Sequence, residues 1–452
     1  MRRFWRVVSG ITLVAMMMTG GSVVAHGAEQ TQPAPVRVSE TAVPAQIAFT
    51  SNQQLWLLQG EDQGSQPIQV TKDGIAEIVQ WSTDGSWLLF MKYPDDDSYY
   101  TSGYLWAVNK DGSRSFQVDQ RPIREKPKWS HAANQFAYVV GKANGDAEEE
   151  KTFVIASIEE GKDAAIVHTS KADFVDFSWM PDDKQILVSK EAGKEAGKSK
   201  PITLELRDLG GKTLKTFAIS EPPKTGEEIY AWSAKGMKVS PDGKHVAYFV
   251  PYNSASLSAD GVPIQWFDLS QPNKKPMEIG MGLAYPQWLS WSPDGKELAF
   301  IHGTDRMATY HKYVRIIDLT GKVRFEGEED KVQSFPVWTK QAPYRLTYTN
   351  GQGTEYHFDP QKVMVPGQRI WVHTAAGEDM QITKGTQETA DLYPNPSVDG
   401  KQLLFVRLDE AQHGSIYVKA GDKETELVRH VTGNIGYYAN YLPEWIQVFW
   451  KE

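Results

Sequence analysis

From residue 46 onward the chain alternates short apolar runs with tight polar turns, and no helical periodicity separates them. The apolar runs read as strands: Gln46-Ile-Ala-Phe-Thr50, Trp87-Leu-Leu-Phe90, Phe136-Ala-Tyr-Val139, Ile186-Leu-Val188, Val246-Ala-Tyr-Phe249, Leu298-Ala-Phe-Ile301, Leu346-Thr-Tyr348 and Leu403-Leu-Phe-Val406. All but the first follow a turn of one kind. Trp81-Ser-Thr-Asp-Gly85, Trp129-Ser-His-Ala-Ala-Asn134, Trp179-Met-Pro-Asp-Asp-Lys184, Val239-Ser-Pro-Asp-Gly-Lys244, Trp291-Ser-Pro-Asp-Gly-Lys296, Trp338-Thr-Lys-Gln-Ala-Pro343 and Pro396-Ser-Val-Asp-Gly-Lys401 are seven imperfect copies, 47 to 60 residues apart. In such a turn Pro presets φ, Asp bonds the local backbone and Gly takes the left-handed position. The turn therefore accounts for Asp84, Asp242, Asp294 and Asp399 without any catalytic role.

After each returning strand comes a variable loop and then a third strand, as in Leu105-Trp-Ala-Val108, Gln265-Trp-Phe-Asp-Leu269, Arg315-Ile-Ile-Asp-Leu319, Ile370-Trp-Val-His373 and Ile416-Tyr-Val418. A Gly turn and a short fourth strand follow. Four antiparallel strands per repeat describe a blade, so the fold class is all-β, a β-propeller. The Trp-Ser-Pro-Asp-Gly-Lys and Val-Ser-Pro-Asp-Gly-Lys blocks, each leading into an Ala-Phe or Ala-Tyr strand, resemble the TolB-type, WD40-like propeller repeat over roughly residues 46–446. That resemblance implies a propeller and leaves the function open, because the repeat serves many proteins. TolB itself carries an α/β domain before its propeller, and related peptidases carry a hydrolase domain; the sequence has no room for either, so a stand-alone propeller is expected.

Eight second strands predict eight blades, with seven the main alternative if one end packs irregularly. The first blade lacks its own leading strand, and Tyr441-Leu-Pro-Glu-Trp445 reads as an orphan inner strand. A C-terminal strand joining the N-terminal blade would close the ring and remove its open edges.

The N-terminus is an address. Arg2, Arg3 and Arg6 precede an apolar stretch to Met18, and small residues follow up to Ala28, the pattern of a signal peptide cleaved after Ala25 or Gly27. The expected organisation is a signal peptide over 1–27, a Pro-containing linker over 28–45 and one propeller over 46–452. The protein is expected to be exported (secreted, cell-wall-associated or periplasmic) and monomeric. Cys is absent, which excludes disulfides, thiol catalysis, Cys-based metal sites and a lipoprotein anchor. The formal net charge of −9 argues against a nucleic-acid binder.

Chemistry is sparse. There is no Gly-x-Ser-x-Gly elbow, His-Glu-x-x-His or P-loop, and the ten His are scattered. No catalytic residue, metal ligand or cofactor is assigned. Repeat-to-repeat variability concentrates in the second-to-third-strand loops 91–103, 141–152, 190–202, 250–263, 302–312 and 350–369, and in connections such as 220–236. All of these lie on one face of the ring, which marks it as the binding surface. Two loops carry candidate ligand-binding residues. Asp95, Asp96, Asp97, Tyr99 and Tyr100 combine carboxylates and aromatics that suit Ca²⁺, a sugar or a peptide, against the plainer reading of a solvated acidic turn. Arg306, Tyr310 and His311 could meet an anionic or polar group, against that of an ordinary polar loop. The doubled Lys-Glu-Ala-Gly at 190–197 reads as a flexible or marginally helical excursion. The function expected is non-catalytic binding of a protein, peptide or envelope polymer. The rival is a glycan hydrolase or lyase with carboxylates at the channel mouth.

Overall fold

A computed structural model describes residues 33–94, 103–132, 134–142, 150–159, 162–195, 198–353, 364–433 and 444–451. Eight antiparallel sheets form a propeller ring, and each takes its strands in order from the axis outward. Blade 1 is Ile446–Trp450, Ala45–Ser51, Gln54–Gln59 and Ile68–Gln69; blade 2 is Ile75–Trp81, Trp87–Tyr93, Tyr104–Asn109 and Ser115–Gln117. The inner strands of blades 3 to 8 are Ile123–Trp129, Asp176–Trp179, Lys235–Val239, Leu289–Trp291, Lys331–Trp338 and Ala390–Pro396. The second strands lie where the repeat pattern puts them. They are sandwiched between neighbouring blades, so both their faces are buried and they read as continuous apolar runs; His245–Phe249 is buried throughout. Outer strands such as Ala165–Lys171 are largely exposed.

The turn motif works as a small hydrogen-bonded unit. In Ser292-Pro-Asp-Gly295 the Ser292 hydroxyl donates to Asp294 Oδ1 (2.8 Å) and accepts from the Glu297 amide (3.0 Å), while Asp294 also accepts from the Lys296 amide (3.2 Å). Ser240 with Asp242 and Ser397 with Asp399 repeat this pattern. Gly295 has φ +69°, a left-handed conformation that a side chain would strain.

The strand-ending tryptophans join one blade to the next. The indole N–H of Trp81 donates to the Gln447 carbonyl (3.2 Å), Trp129 to Gln80 (3.0 Å), Trp179 to Lys128 (2.9 Å), Trp291 to Lys238 (2.9 Å) and Trp338 to Ser290 (3.0 Å). Each indole thus satisfies its donor on the inner strand of the preceding blade, and all but the half-buried Trp291 are buried.

The ring is closed at both termini. Ile446–Trp450 is the inner strand of blade 1, with Ala45 opposite Trp450 and Phe49 opposite Ile446. The closing strand therefore lies five residues beyond the expected Tyr441–Trp445, and Val448, opposite Ile47, takes the place that tryptophan holds in most other blades. Trp445 instead lies buried just before the strand, its carbonyl accepting from the Thr50 amide (3.0 Å). Residues 33–45, expected as a linker, contribute Val36–Arg37 as a fifth strand on the outer edge of blade 8. Arg37 is buried, and its guanidinium donates to the carbonyls of Ser39, Thr41 and Asp62. The seam lies inside the largest apolar cluster, where Ile47 and Phe49 of blade 1 join Leu404, Val406 and Val428 of blade 8. One further expectation is corrected. The Lys-Glu-Ala-Gly excursion is neither helical nor free, since Gly193–Glu195 and Lys198–Lys200 pair as a β-hairpin.

Candidate functional site

Inner strands line the axis, and their composition divides the channel. Blades 2 to 5 bring charge to it. Glu77 pairs with Lys126 and accepts from the Tyr93 hydroxyl (2.9 Å). Lys128 pairs with Asp176 (2.8 Å), and Asp176 also accepts from the amides of Phe177 (2.8 Å) and Met237 (3.0 Å). Glu125 lies in the field of Lys235, Asp176 and Lys128, and burial pushes its carboxyl up to about 7. Glu444 of blade 1, held by the Gln447 amide, is also pushed up to about 7 by burial, against the pull of Lys238 and Lys126 and aided by Glu77. In an eight-bladed ring blade 5 stands opposite blade 1, so the Lys238–Glu444 interaction reaches across the axis. Lys238 keeps an exposed side chain, and desolvation by the protein around it lowers its ammonium from the usual lysine range.

Blades 7, 8 and 1 bring aromatic rings. Phe335 and Tyr393 stand 4.8 Å apart, and Tyr393 lies 6.0 Å from Trp445. Phe335 (φ +54°) and Tyr393 (φ +55°) are left-handed, each at a register shift in its inner strand and each followed by a proline. These are strained positions for aromatic residues, held by burial on all sides.

The loop-rich face is tied together over blades 4 to 6. The Ala192 amide beside the hairpin donates to the Trp232 carbonyl (2.7 Å), and Trp232 donates to Pro251 (2.8 Å). Asn253 donates to Tyr230 (3.1 Å), and Asp305 donates to Asp260 (2.8 Å). Loops 190–202, 220–236, 250–263 and 302–312 thus form one hydrogen-bonded platform. A short helix, Ala255–Ala259, capped by Ser254, stands on it. Tyr230, Trp232 and Tyr252 are half-buried there, while Ile229 and Leu257 are 51% and 44% exposed. Lys194 Nζ lies 5.5 Å from the Tyr230 ring and Lys235 Nζ 5.6 Å from Trp232, within cation–π range.

Of the residues singled out in the sequence, Arg306, Tyr310 and His311 come together on this platform. Arg306 Nε donates to Asp260 (2.7 Å), which pins the blade 6 loop to the blade 5 loop. Tyr310 and His311 stack at 3.8 Å. Beneath them Lys312, fully buried, donates to the carbonyls of Thr304 (2.6 Å) and Tyr310 (2.9 Å), and burial lowers its ammonium to about 8. Asp95, Asp96, Asp97, Tyr99 and Tyr100 lie outside the described residues. The channel charges and the Ile229–Trp232 segment escaped sequence reading. Charged inner-strand positions and a tryptophan within a connection were the available signals.

No family model matches the sequence, and a search of curated proteins finds no match. Among solved structures the chain is similar to prolyl oligopeptidase B from Galerina marginata, with 12% identity, a TM-score of 0.47, and 79% of this chain and 51% of that one covered. It is similar to the β-propeller domain of the trilobed protease from Pyrococcus furiosus, with 11% identity, a TM-score of 0.42, and 78% and 97% covered. It is also similar to a putative TolB from Agrobacterium tumefaciens, with 16% identity, a TM-score of 0.31, and 59% and 86% covered. The chain spans about half the length of the peptidases it resembles. At such identities these likenesses carry no functional argument. Among the described residues no helix is long and apolar enough to cross a membrane, and no His, Cys, Asp and Glu group is arranged to hold a metal ion.

Proposed function

We propose that this protein is an exported β-propeller that binds a protein, peptide or cell-envelope polymer on its loop-rich face, without covalent chemistry. The observation that carries this reading is the hydrogen-bonded platform over blades 4 to 6, which presents Ile229, Tyr230, Trp232, Tyr252 and Leu257. Exposed aliphatic side chains beside half-buried aromatics on a rigid base are the make-up of a binding anchor, because little loop entropy is lost when a partner docks. Asp95 to Asp97, Tyr99, Tyr100, Arg306, Tyr310 and His311 would contribute from the same rim.

The test is capture from the organism's own envelope fraction by the full secreted protein, beside an Ile229→Asp/Leu257→Asp variant. Both side chains are exposed, so the variant should unfold at the same denaturant concentration. A partner held by the native rim and lost by the variant supports the reading, and equal capture by both overturns it. The enzymatic alternative draws on Glu125 and Glu444, whose carboxyls burial raises to about 7, the range of a general acid, although both are raised alike and hydrolysis needs the pair pushed apart. Turnover in a panel of glycans, abolished by Glu444→Gln, would establish it.

A further inference from the structure

The repeat places a tryptophan at the end of five inner strands, and one register position defines it. Trp81 pairs with Leu88, Trp129 with Phe136, Trp179 with Ile186, Trp291 with Leu298 and Trp338 with Leu346. In blade 5 the same position pairs Val239 with Val246. Valine has neither the indole's volume nor its N–H, so it fills less of the space between neighbouring inner strands. Blade 1 also has a valine at this position, Val448 opposite Ile47, with Phe449 beside it packed on Gly85. In blade 8 the position is Pro396, and Arg345 of blade 7 reaches into that turn to bond the Gly400 carbonyl (3.2 Å). At blade 5 a cavity of about 480 Å³ opens instead on the turn face of the ring. Its lining includes Pro181 and Pro241 from successive turns, Val239, Leu289, Trp291 and Lys238.

Lys238 gives this cavity its chemistry. Among the described residues no acid lies within ion-pair distance of it. The acids whose fields reach it are otherwise engaged: Asp176 by Lys128 and two backbone amides, and Glu444 by Gln447. His131, at the cavity edge, is held by Asp183 (2.9 Å). The result is an open, mostly apolar hollow on the turn face that holds one cation without a contacting counter-ion among the described residues. We propose that it binds a carboxylate carried on a short apolar body, with Lys238 meeting the carboxylate and Pro181, Val239, Pro241, Leu289 and Trp291 covering the rest. Such a group is either a free carboxylic acid or the C-terminal residue of a peptide. The site lies on the face opposite the loop-rich platform and does not rest on the reading of that platform.

The test is calorimetric titration of the intact protein with hexanoate, N-acetyl-L-leucine and the uncharged N-acetyl-L-leucinamide. At least one acid should bind saturably and the amide should not. A preference for hexanoate identifies a free acid as the source, and one for N-acetyl-L-leucine a peptide terminus. Val239→Trp restores the repeat's own indole, leaves Lys238 untouched and should take up part of the hollow. It should weaken binding about tenfold or more while the unfolding midpoint holds or rises. Lys238→Met should weaken binding similarly, and Lys238→Arg should stay within about threefold of the native protein. Equal binding of acid and amide, unchanged binding in the Val239→Trp or Lys238→Met variant, or no saturable binding of either acid would overturn the proposal. If Lys238→Met does not fold, Val239→Trp decides alone.

Discussion

At the scale of single residues, the ring is held by repeated small contacts whose worth can be measured one at a time. Trp179→Phe keeps an aromatic ring between blades 3 and 4 but removes the donor to the Lys128 carbonyl. It should cost about 0.5–1.5 kcal/mol in urea unfolding, the net worth of one such bond. Titration gives a second check. Burial pushes Asp84 up, but hydrogen bonds from Ser82, Asn134 and Ser86 outweigh it and bring the carboxyl down to about 2. A depressed acid contributes stability that is present above its unfolded value of 3.8 and is lost as pH falls toward 2. Glu444 has the opposite sign. Its folded carboxyl holds the proton up to about 7 against 4.5 unfolded, so stability falls as pH rises through that window. Urea midpoints measured at pH 5 and pH 8 should therefore differ, and Glu444→Gln should narrow the difference. A variant with the native pH dependence would show that Glu444 is not buried against the channel charges.

At the scale of strands, the termini matter more than any blade interior. Deleting Ile446–Trp450 leaves Ala45–Ser51 with an unpaired edge inside the largest apolar cluster. Cooperative unfolding should be lost, and the exposed edge should drive aggregation. Arg37→Ala should be milder, about 1–3 kcal/mol, because the loop carbonyls it serves can turn to water. Size-exclusion profiles and urea curves of the two variants separate these outcomes. Strand identity was legible from the sequence because each second strand is buried on both faces and bounded by a turn of fixed chemistry. The closing strand lies five residues beyond the expected one because Tyr441–Trp445 ends in a tryptophan as most inner strands do, and only the pairing with Ala45–Phe49 identifies Ile446–Trp450. The Val36–Arg37 strand was missed because two residues carry no periodicity; a pairing partner hundreds of residues away creates it. The hairpin at 193–200 was hidden by a Lys-Glu-Ala composition that favours helix over strand.

At the scale of the whole molecule, the ring separates its duties. Blades 7, 8 and 1 pack aromatic rings at the seam that closes the ring, while blades 2 to 5 carry the channel charges and blades 4 to 6 the rim platform. The loop-rich face was legible as a surface, because strand alternation alone assigns loops to faces. Its anchor residues were not, since Tyr230 and Trp232 become neighbours of Tyr252 only through backbone bonds between two blade 5 segments. Those bonds make the platform one connected unit and not a set of independent loops, and they can be read in solution. The amides of Ala192, Trp232, Asn253 and Asp305 each donate to a carbonyl of a different segment. Exchange from them should be slow and should share one opening free energy, since releasing one segment frees its neighbour. Rim amides without such a donor bond should exchange at solvent rates. If the four amides exchange rapidly or with unrelated rates, the loops move separately. A partner would then have to order them on docking, and the low-entropy basis for binding at this rim would be gone.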